Sequence, residues 1–319
     1  MLHPPLEPFA HGMLPVGHGN EIYWETSGNP DGEPLVYLHG GPGSGLGAGG
    51  YRRRADPSRW LIVGLDQRGC GRSRPLAIDD LAGLRHNTTQ DLIADLESLR
   101  RHLGIERWVL HGVSWGATLA LAYAQCHPDR VRAIVLVAVT STSRDEIDWI
   151  TDGVGRLFPE AWHRFAEASQ RRDGERVVDA YARRLADPDA DPDDREQAAL
   201  DWDEWESQHI RLDPLWTPDE RHDDPTVRRV FATLVTHYWS HDAFLVGPDA
   251  IVNRMPRIAH IPATLIHGRH DVSGPVVTPW RLNRQWPASR LVVVETEGHG
   301  GPESMAEMVR ATDALPSAE

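Results

Sequence analysis

Cysteine, positive charge and long apolar runs are all scarce in this chain. Only two of its 319 residues are cysteines, Cys70 and Cys126. That is too few for a disulfide framework, and neither belongs to a Cys-x-x-Cys pair. A reducing, cytoplasmic compartment is expected. Cys126 follows helix-like residues and reads as a small core residue, while Cys70 lies in a glycine-rich turn, a setting open to solvent. Basic residues number 33 against 47 acidic ones, a formal net charge of −14. A nucleic-acid partner is therefore not expected, because binding a phosphate backbone needs a basic face. No apolar run approaches the ~20 residues of a membrane span, so no membrane association is expected either. The opening "MLHPPLEPFAHGM" has no basic region ahead of an apolar stretch, and no secretion signal is expected.

Metal-binding patterns are also missing. His260, His267 and His270 cluster in sequence without zinc-like spacing, and strand neighbours among them point to opposite faces. The acidic run "ADPDADPDDRE" (186–196) resembles a calcium loop only superficially. Taking Asp187 as first ligand puts Pro192 where a turn glycine is needed and Ala198 where a bidentate glutamate belongs. It reads as a solvated, proline-broken loop, and no metal is expected.

Short runs rich in Val, Ile and Leu are present: "PLVYLHG" (34–40), "WLIVGLD" (60–66), "RWVLHG" (107–112), "VRAIVLVAV" (131–139), "ATLIHG" (263–268) and "RLVVVE" (290–295). They do not alternate with polar residues, which predicts parallel strands buried on both faces. Helical patterns lie between them. In Asn87–Leu103, Leu92, Leu96, Leu99 and Leu103 share a face, Asn87 or Thr88 can cap the start, and Gly104 follows the end. Ser114–His127 and Val276–Trp286 are further predicted helices. Alternating strands and helices predict an α/β fold with a right-handed, doubly wound, mostly parallel sheet.

Between about Thr142 and Asp249 this rhythm stops. The stretch reads as several helices with polar loops, which predicts an α/β core over residues 1–141 and 250–319 and an inserted helical cap over 142–249. Six of the chain's twelve tryptophans fall there: Trp149, Trp162, Trp202, Trp205, Trp216 and Trp239. Large aromatics serve either as the core of a small subdomain or as the walls of a substrate pocket.

Gly112-Val113-Ser114-Trp115-Gly116 carries the chemistry. Gly-x-Ser-x-Gly is a nucleophile elbow when a buried strand precedes it and a helix follows, as here. Glycines flank the serine because backbones pass too close for a Cβ. The turn lifts the hydroxyl clear of the sheet and aims a helix N-terminus at developing negative charge. A serine hydroxyl needs a base, and the base needs an orienting carboxylate. In this order of elements they come from later strand ends. Asp271 follows "ATLIHGRH" and His299 follows "RLVVVETEG", with Asp249 and Glu295 as competing acids. The oxyanion hole needs two N–H donors. Trp115, directly after the serine, is one. Gly41, in "LHGGPGSGLGAGG" (38–50), is the other candidate, since glycines there let the backbone approach a substrate closely. Asp66 and Arg68 in "DQRGCGRS" read as braces for neighbouring loops rather than catalytic groups.

The stretches "IYWETSGNPDGEPLVYLHGGPGSG", "DQRGCGRS", "HNTTQDLIADLESLRRHLG", "GVSWGATLALAYAQCHPDRV", "RIAHIPATLIHGRHDV" and "EGHG" together resemble the proline iminopeptidase family of α/β-hydrolases. The resemblance spans nearly the whole chain. It implies a helical cap over the catalytic centre, no cofactor, a triad of Ser114, Asp271 and His299, and oxyanion donors Gly41 and Trp115. It also implies that the substrate's free amino terminus is bound by acidic cap residues. One lies in a Trp-x-x-Trp-Glu segment, which here places Glu206 in that role. A second family glutamate aligns with Val235, and a family arginine aligns with Val137. The expected activity is a serine aminopeptidase that releases an N-terminal proline or similar small residue from short peptides. The two valines motivate an alternative, an amidase, esterase or acyltransferase acting on a specialised small molecule. A non-catalytic ligand-binding protein on the same scaffold is a third reading, although no triad residue or oxyanion glycine is missing.

Overall fold

A computed structural model describes residues 2–210 and 223–317. The chain begins with a hairpin, β1 (Ala10–Gly17) and β2 (Asn20–Gly28), followed by β3 (Glu33–Leu38) and β4 (Trp60–Leu65). Helix α1 (Thr89–His102) leads into β5 (Trp108–Val113), α2 (Trp115–Cys126) and β6 (Val131–Val137). Among the described residues five α-helices intervene: α3 (Arg144–Thr151), α4 (Pro159–Ala168), α5 (Val177–Ala186), α6 (Pro192–Ile210) and α7 (Pro225–Ser240). Alternation then resumes with β7 (Ala263–Gly268), α8 (Val277–Arg284), β8 (Ser289–Val294) and α9 (Pro302–Asp313).

The eight strands form one sheet in the order β1-β2-β4-β3-β5-β6-β7-β8. β1 with β2 and β2 with β4 are antiparallel, and every later pairing is parallel. The central strands are buried on both faces, as their unbroken apolar runs require. The β1–β2 hairpin was not among the predicted strands. β1, at the sheet edge, alternates half-buried and exposed positions, and β2, though interior, buries polar Glu25, Thr26 and Ser27, so neither carries a continuous apolar signal.

Predicted strand ends move where the chain turns toward the site. β3 stops at Leu38, so His39 and Gly40 belong to the loop beyond it. β6 stops at Val137 because Ala138 adopts φ 49° and redirects the chain. Helix α1 starts two residues later than predicted. Of the two cap candidates it uses Thr88, whose hydroxyl accepts from the Asp91 amide while the Asp91 carboxylate accepts from the Thr88 amide. Gly104, at φ 67°, takes the left-handed position past the helix end. Helix α2 is buried at every residue except Cys126, which makes it the central packing element. α8 is shorter at both ends than predicted, spanning Val277–Arg284.

Cys70 departs from expectation. Its side chain is buried and its thiol donates to the Gln67 carbonyl at 3.2 Å, because the glycine-rich turn folds inward against His39. Burial pushes its pKa up, so the thiol stays protonated.

Helices α3–α7 pack around an apolar cluster of their own, centred on Phe165, Tyr181, Trp202 and Trp205. Phe165 stacks on Tyr181 at 4.7 Å and on Trp205 at 5.0 Å between ring centroids. Each such aromatic buries a large apolar area, which lets a small helical group hold together. Both tryptophan readings therefore apply. Trp202 and Trp205 are core, Trp239 faces the cavity described below, and Trp216 lies outside the described residues.

Candidate active site

The carboxyl ends of β5, β7 and β8 converge, and each delivers one polar side chain. At the end of β5 the chain enters α2 through Ser114, held at φ 57°, ψ −124°. A non-glycine residue in that region stores ~1–3 kcal/mol of strain. The surrounding backbone enforces it. The Ser114 amide donates to the Val137 carbonyl at 3.0 Å, continuing the sheet ladder one residue past β5. A Cβ on Gly116 would sit 2.0 Å from the Leu38 carbonyl oxygen, and one on Gly112 would sit 2.4 Å from that of Gly116. Only glycines permit so tight a strand-to-helix corner.

Asp271 follows β7 and His299 follows β8. Asp271 Oδ2 lies 2.8 Å from His299 Nδ1, and His299 Nε2 lies 2.9 Å from Ser114 Oγ. A carboxylate only accepts, so His299 donates from Nδ1 and its Nε2 accepts from the serine hydroxyl. The Asp271 side chain is buried, and its other oxygen accepts from the Gly274 amide at 2.9 Å. Burial pushes its carboxyl pKa up. The charge and hydrogen bond of His299, then His267 and the Gly274 amide, outweigh this and hold it below the usual aspartate range. The three predicted triad residues are therefore brought together in hydrogen-bond order. The competing acids are not: Glu295 is exposed and paired with Arg269 at 2.8 Å, and Asp249 pairs with Arg254 at 3.2 Å.

His267 has a different place from that of a metal ligand. It is fully buried, accepts from the Val139 amide at 3.0 Å through Nδ1, and donates to the Gly274 carbonyl at 2.6 Å through Nε2. Burial lowers its pKa, so it stays neutral. It ties the loop after β6 to the loop that carries Asp271. His260 and His270 are exposed.

Gly41 and Trp115 border the same cavity as Ser114. Their loops are fastened together by a buried relay that sequence reasoning missed. The Trp115 indole donates to Gln67 Oε1 at 2.9 Å, and Gln67 Nε2 donates to the His39 carbonyl at 3.0 Å. The Gln67 amide donates to His39 Nε2 at 3.0 Å, while His39 Nδ1 donates to the Gly40 carbonyl at 2.9 Å. Burial lowers the His39 pKa, consistent with an Nε2 that accepts. Asp66 and Arg68 act as braces. Asp66 accepts from the Leu46 amide at 2.6 Å and from the Arg72 side chain at 2.8 Å. Arg68 grips Asp95 through two bonds of 2.6 Å.

The cavity over Ser114 has a volume of about 380 Å³. Its apolar walls include Ile147, Ile150, Phe231 and Trp239. Glu206 also borders it. This residue is 6% exposed and accepts from the Trp202 indole at 2.8 Å, so it is not a solvated helix residue. His209, one turn on, meets Ser273 Oγ at 2.6 Å and joins α6 to the loop bearing Asp271. Val137 and Val235 carry no charge toward the cavity. Val137 packs with Ile266 and Met308, and Val235 lies in the aromatic cluster of α3–α7. Glu146 was missed and also borders the cavity. Its signal was the capping-box pattern Ser-x-x-Glu at Ser143–Glu146, which marks the start of α3. Among the described lining residues there are two carboxylates and no arginine or lysine.

The α/β-hydrolase fold family matches residues 33–303. The probable proline iminopeptidase of Streptomyces coelicolor is 46% identical over 318 residues, covering 98% of this chain and 97% of that protein. The probable proline iminopeptidase of Leptolyngbya boryana is 41% identical over 315 residues, covering 98% and 96%. The crystal structure of VinJ shares the fold, with a TM-score of 0.69 at 23% identity, covering 97% of this chain and 100% of that one. On its motifs, its fold and these full-length identities, the chain belongs to the proline iminopeptidase family of α/β-hydrolases.

Proposed function

We propose that this serine hydrolase is a prolyl aminopeptidase that releases N-terminal proline, or a similar small residue, from short peptides through an acyl-enzyme. The observation that carries the reading is the Asp271–His299–Ser114 relay opening onto a cavity bordered by Glu206. His299 takes the Ser114 proton as Oγ attacks the carbonyl carbon. The Gly41 and Trp115 amides hold the oxyanion. His299 then protonates the leaving amine, and water, activated by the same ring, releases the acyl group. Asp271 fixes the imidazole tautomer and stabilises its charged form. Glu206 grips the substrate ammonium, with residues 142–249 acting as the cap. No metal or cofactor takes part in this scheme.

Full-length identity to proline iminopeptidases favours this reading over the amidase, esterase or acyltransferase alternative that Val137 and Val235 motivated. No helix among the described residues is long and apolar enough to cross a membrane, and the reading places the enzyme in the cytoplasm with small peptides as its partners. The test is kcat/KM for proline p-nitroanilide, its N-acetylated form and a neutral p-nitrophenyl ester, with Ser114→Ala as blank. A free-amine preference of ~100-fold, about 2.7 kcal/mol, supports the reading. An equal or reversed preference with Ser114-dependent turnover refutes it.

A further inference from the structure

We infer that Glu146 is the second carboxylate of the ammonium site, a specificity residue that acts with Glu206; the inference rests on the aminopeptidase reading above. The position where a second acid was expected, Val235, is fully buried among apolar side chains and supplies no charge. The second negative charge of the cavity comes instead from α3, on the side of the cavity formed by the loop after β6.

The placement of Glu146 is rigid. Its Oε2 takes three donors, the Ser141 hydroxyl, the Ser143 amide at 3.0 Å and the Ser143 hydroxyl at 2.9 Å. Oε1 accepts the Ser141 amide at 3.2 Å. A carboxylate oxygen accepts about two hydrogen bonds, so Oε1 retains capacity for a donor from the cavity. The loop that leads to Glu146 is fastened behind the nucleophile. Thr142, at φ 48°, shares a hydrogen bond of 2.7 Å with Thr118 on α2. Thr140, also against Thr118, donates to the Ser114 carbonyl at 3.2 Å. The site serine and the Glu146 loop therefore hold one another in register.

Among the described residues that border the cavity, no arginine or lysine cancels this charge. Arg144, near it on α3, is 52% exposed and pairs with Asp242 at 2.8 Å. A carboxylate bordering an apolar-walled cavity favours a bound cation over a neutral group there, and Glu146 and Glu206 border the same one. A prolyl amino terminus carries two N–H donors, one for each carboxylate. A primary ammonium carries three, and the third is left for a hydroxyl or water. A capping box accounts for the bonds to Oε2. It does not account for a charged side chain bordering the nucleophile's cavity.

The experiment compares wild type, Glu146→Gln and Glu206→Gln, each normalised to active sites titrated with a fluorophosphonate, so that misfolded protein drops out of the rates. Glutamine keeps the length of the side chain and can still accept from the cap. The measured quantity is the ratio of kcat/KM for proline p-nitroanilide to that for a neutral p-nitrophenyl ester. The expected result is a fall of about tenfold in this ratio for Glu146→Gln, seen mainly as a higher KM for the anilide. A ratio that stays at the wild-type value in Glu146→Gln while falling in Glu206→Gln overturns the inference and leaves the aminopeptidase reading standing. A wild-type ratio without free-amine preference overturns both.

Discussion

Replacing Asp271 by asparagine tests the relay at its most buried point. The carboxylate has two distinct duties: Oδ1 accepts from the Gly274 amide at 2.9 Å, and Oδ2 accepts from His299 Nδ1 at 2.8 Å. An asparagine must choose which duty its single oxygen keeps. The Gly274 amide is part of a fixed loop, so the oxygen stays there and the NH₂ group replaces Oδ2. That NH₂ then faces His299 Nδ1 and also the N–H of His267, whose Nε2 lies 3.5 Å from the original oxygen. A donor facing Nδ1 drives the His299 proton to Nε2. The serine hydroxyl then meets a donor where it needs an acceptor. In a serine protease triad the same acid-to-amide change lowers kcat by ~10⁴, and an equal loss, ~5.5 kcal/mol, is expected here. The assay is kcat for proline p-nitroanilide, together with the rate of fluorophosphonate labelling at Ser114. Labelling should slow in parallel, because it also needs the proton transfer. A folded Asp271→Asn enzyme within tenfold of wild type refutes the assignment and would direct attention to another acid.

Three further outcomes follow from the geometry. Gln67→Leu leaves the Trp115 indole N–H and the His39 carbonyl without their present partner. At ~1–3 kcal/mol per orphaned buried group, the melting temperature should fall by several degrees, and kcat should fall more than KM rises. Gly116→Ala drives a Cβ to 2.0 Å from the Leu38 carbonyl oxygen, and the loss of ~3 kcal/mol or more should appear in denaturant unfolding. Stability should also fall with acid before the carboxylates titrate. Burial pushes His237 down to about 4 from an ordinary 6.5. The unfolded chain then binds the extra proton, so stability is complete above about pH 6.5 and is lost as pH falls toward 4, by up to ~3 kcal/mol. His237→Gln, which can still donate to the Asn87 carbonyl, should flatten that slope in urea unfolding measured from pH 7 to 4.5.

Legibility followed burial. The strands β3 to β7 were readable because both faces are covered and the apolar run is continuous, and β8, at the sheet edge and mostly half-buried, was readable from its apolar run alone. The β1–β2 hairpin was not, since Ala10–Gly17 alternates half-buried and exposed positions around Gly12 and Pro15. Cys70 was misjudged for a related reason. A glycine-rich turn suggests exposure when it is read locally, yet Gly69 and Gly71 are needed there because a Cβ on Gly71 would sit 2.5 Å from the Asp66 carboxyl carbon. Those glycines mark close approach rather than solvent, and nothing within the turn distinguishes the two.

The site divides along the same line. Ser114, Asp271 and His299 each sit just past the end of a strand, so their convergence follows from strand order in a parallel sheet. Glu146, Gln67 and His39 lie elsewhere, and each has an innocent local explanation: a helix cap, a polar loop residue, the end of a strand. Their roles depend on pairs far apart in sequence, such as Trp115 with Gln67 across 48 residues. Alignment of family motifs pointed to Val235 as the place where an acid had been lost. It could not point to α3 as the place where one faces the same cavity, because motif comparison asks what occupies a position, while electrostatics depends only on where charge ends up. Val137 and Val235 stand where the resemblance implies one charge of each sign; with Glu146 supplying an acid and no arginine or lysine among the described lining residues, the pocket is one charge more negative than that pattern. The geometry changes as well under the inference drawn above: the proposed second acid comes from α3 rather than from α7, and a bound ammonium should accordingly sit nearer to Thr140 and Thr142.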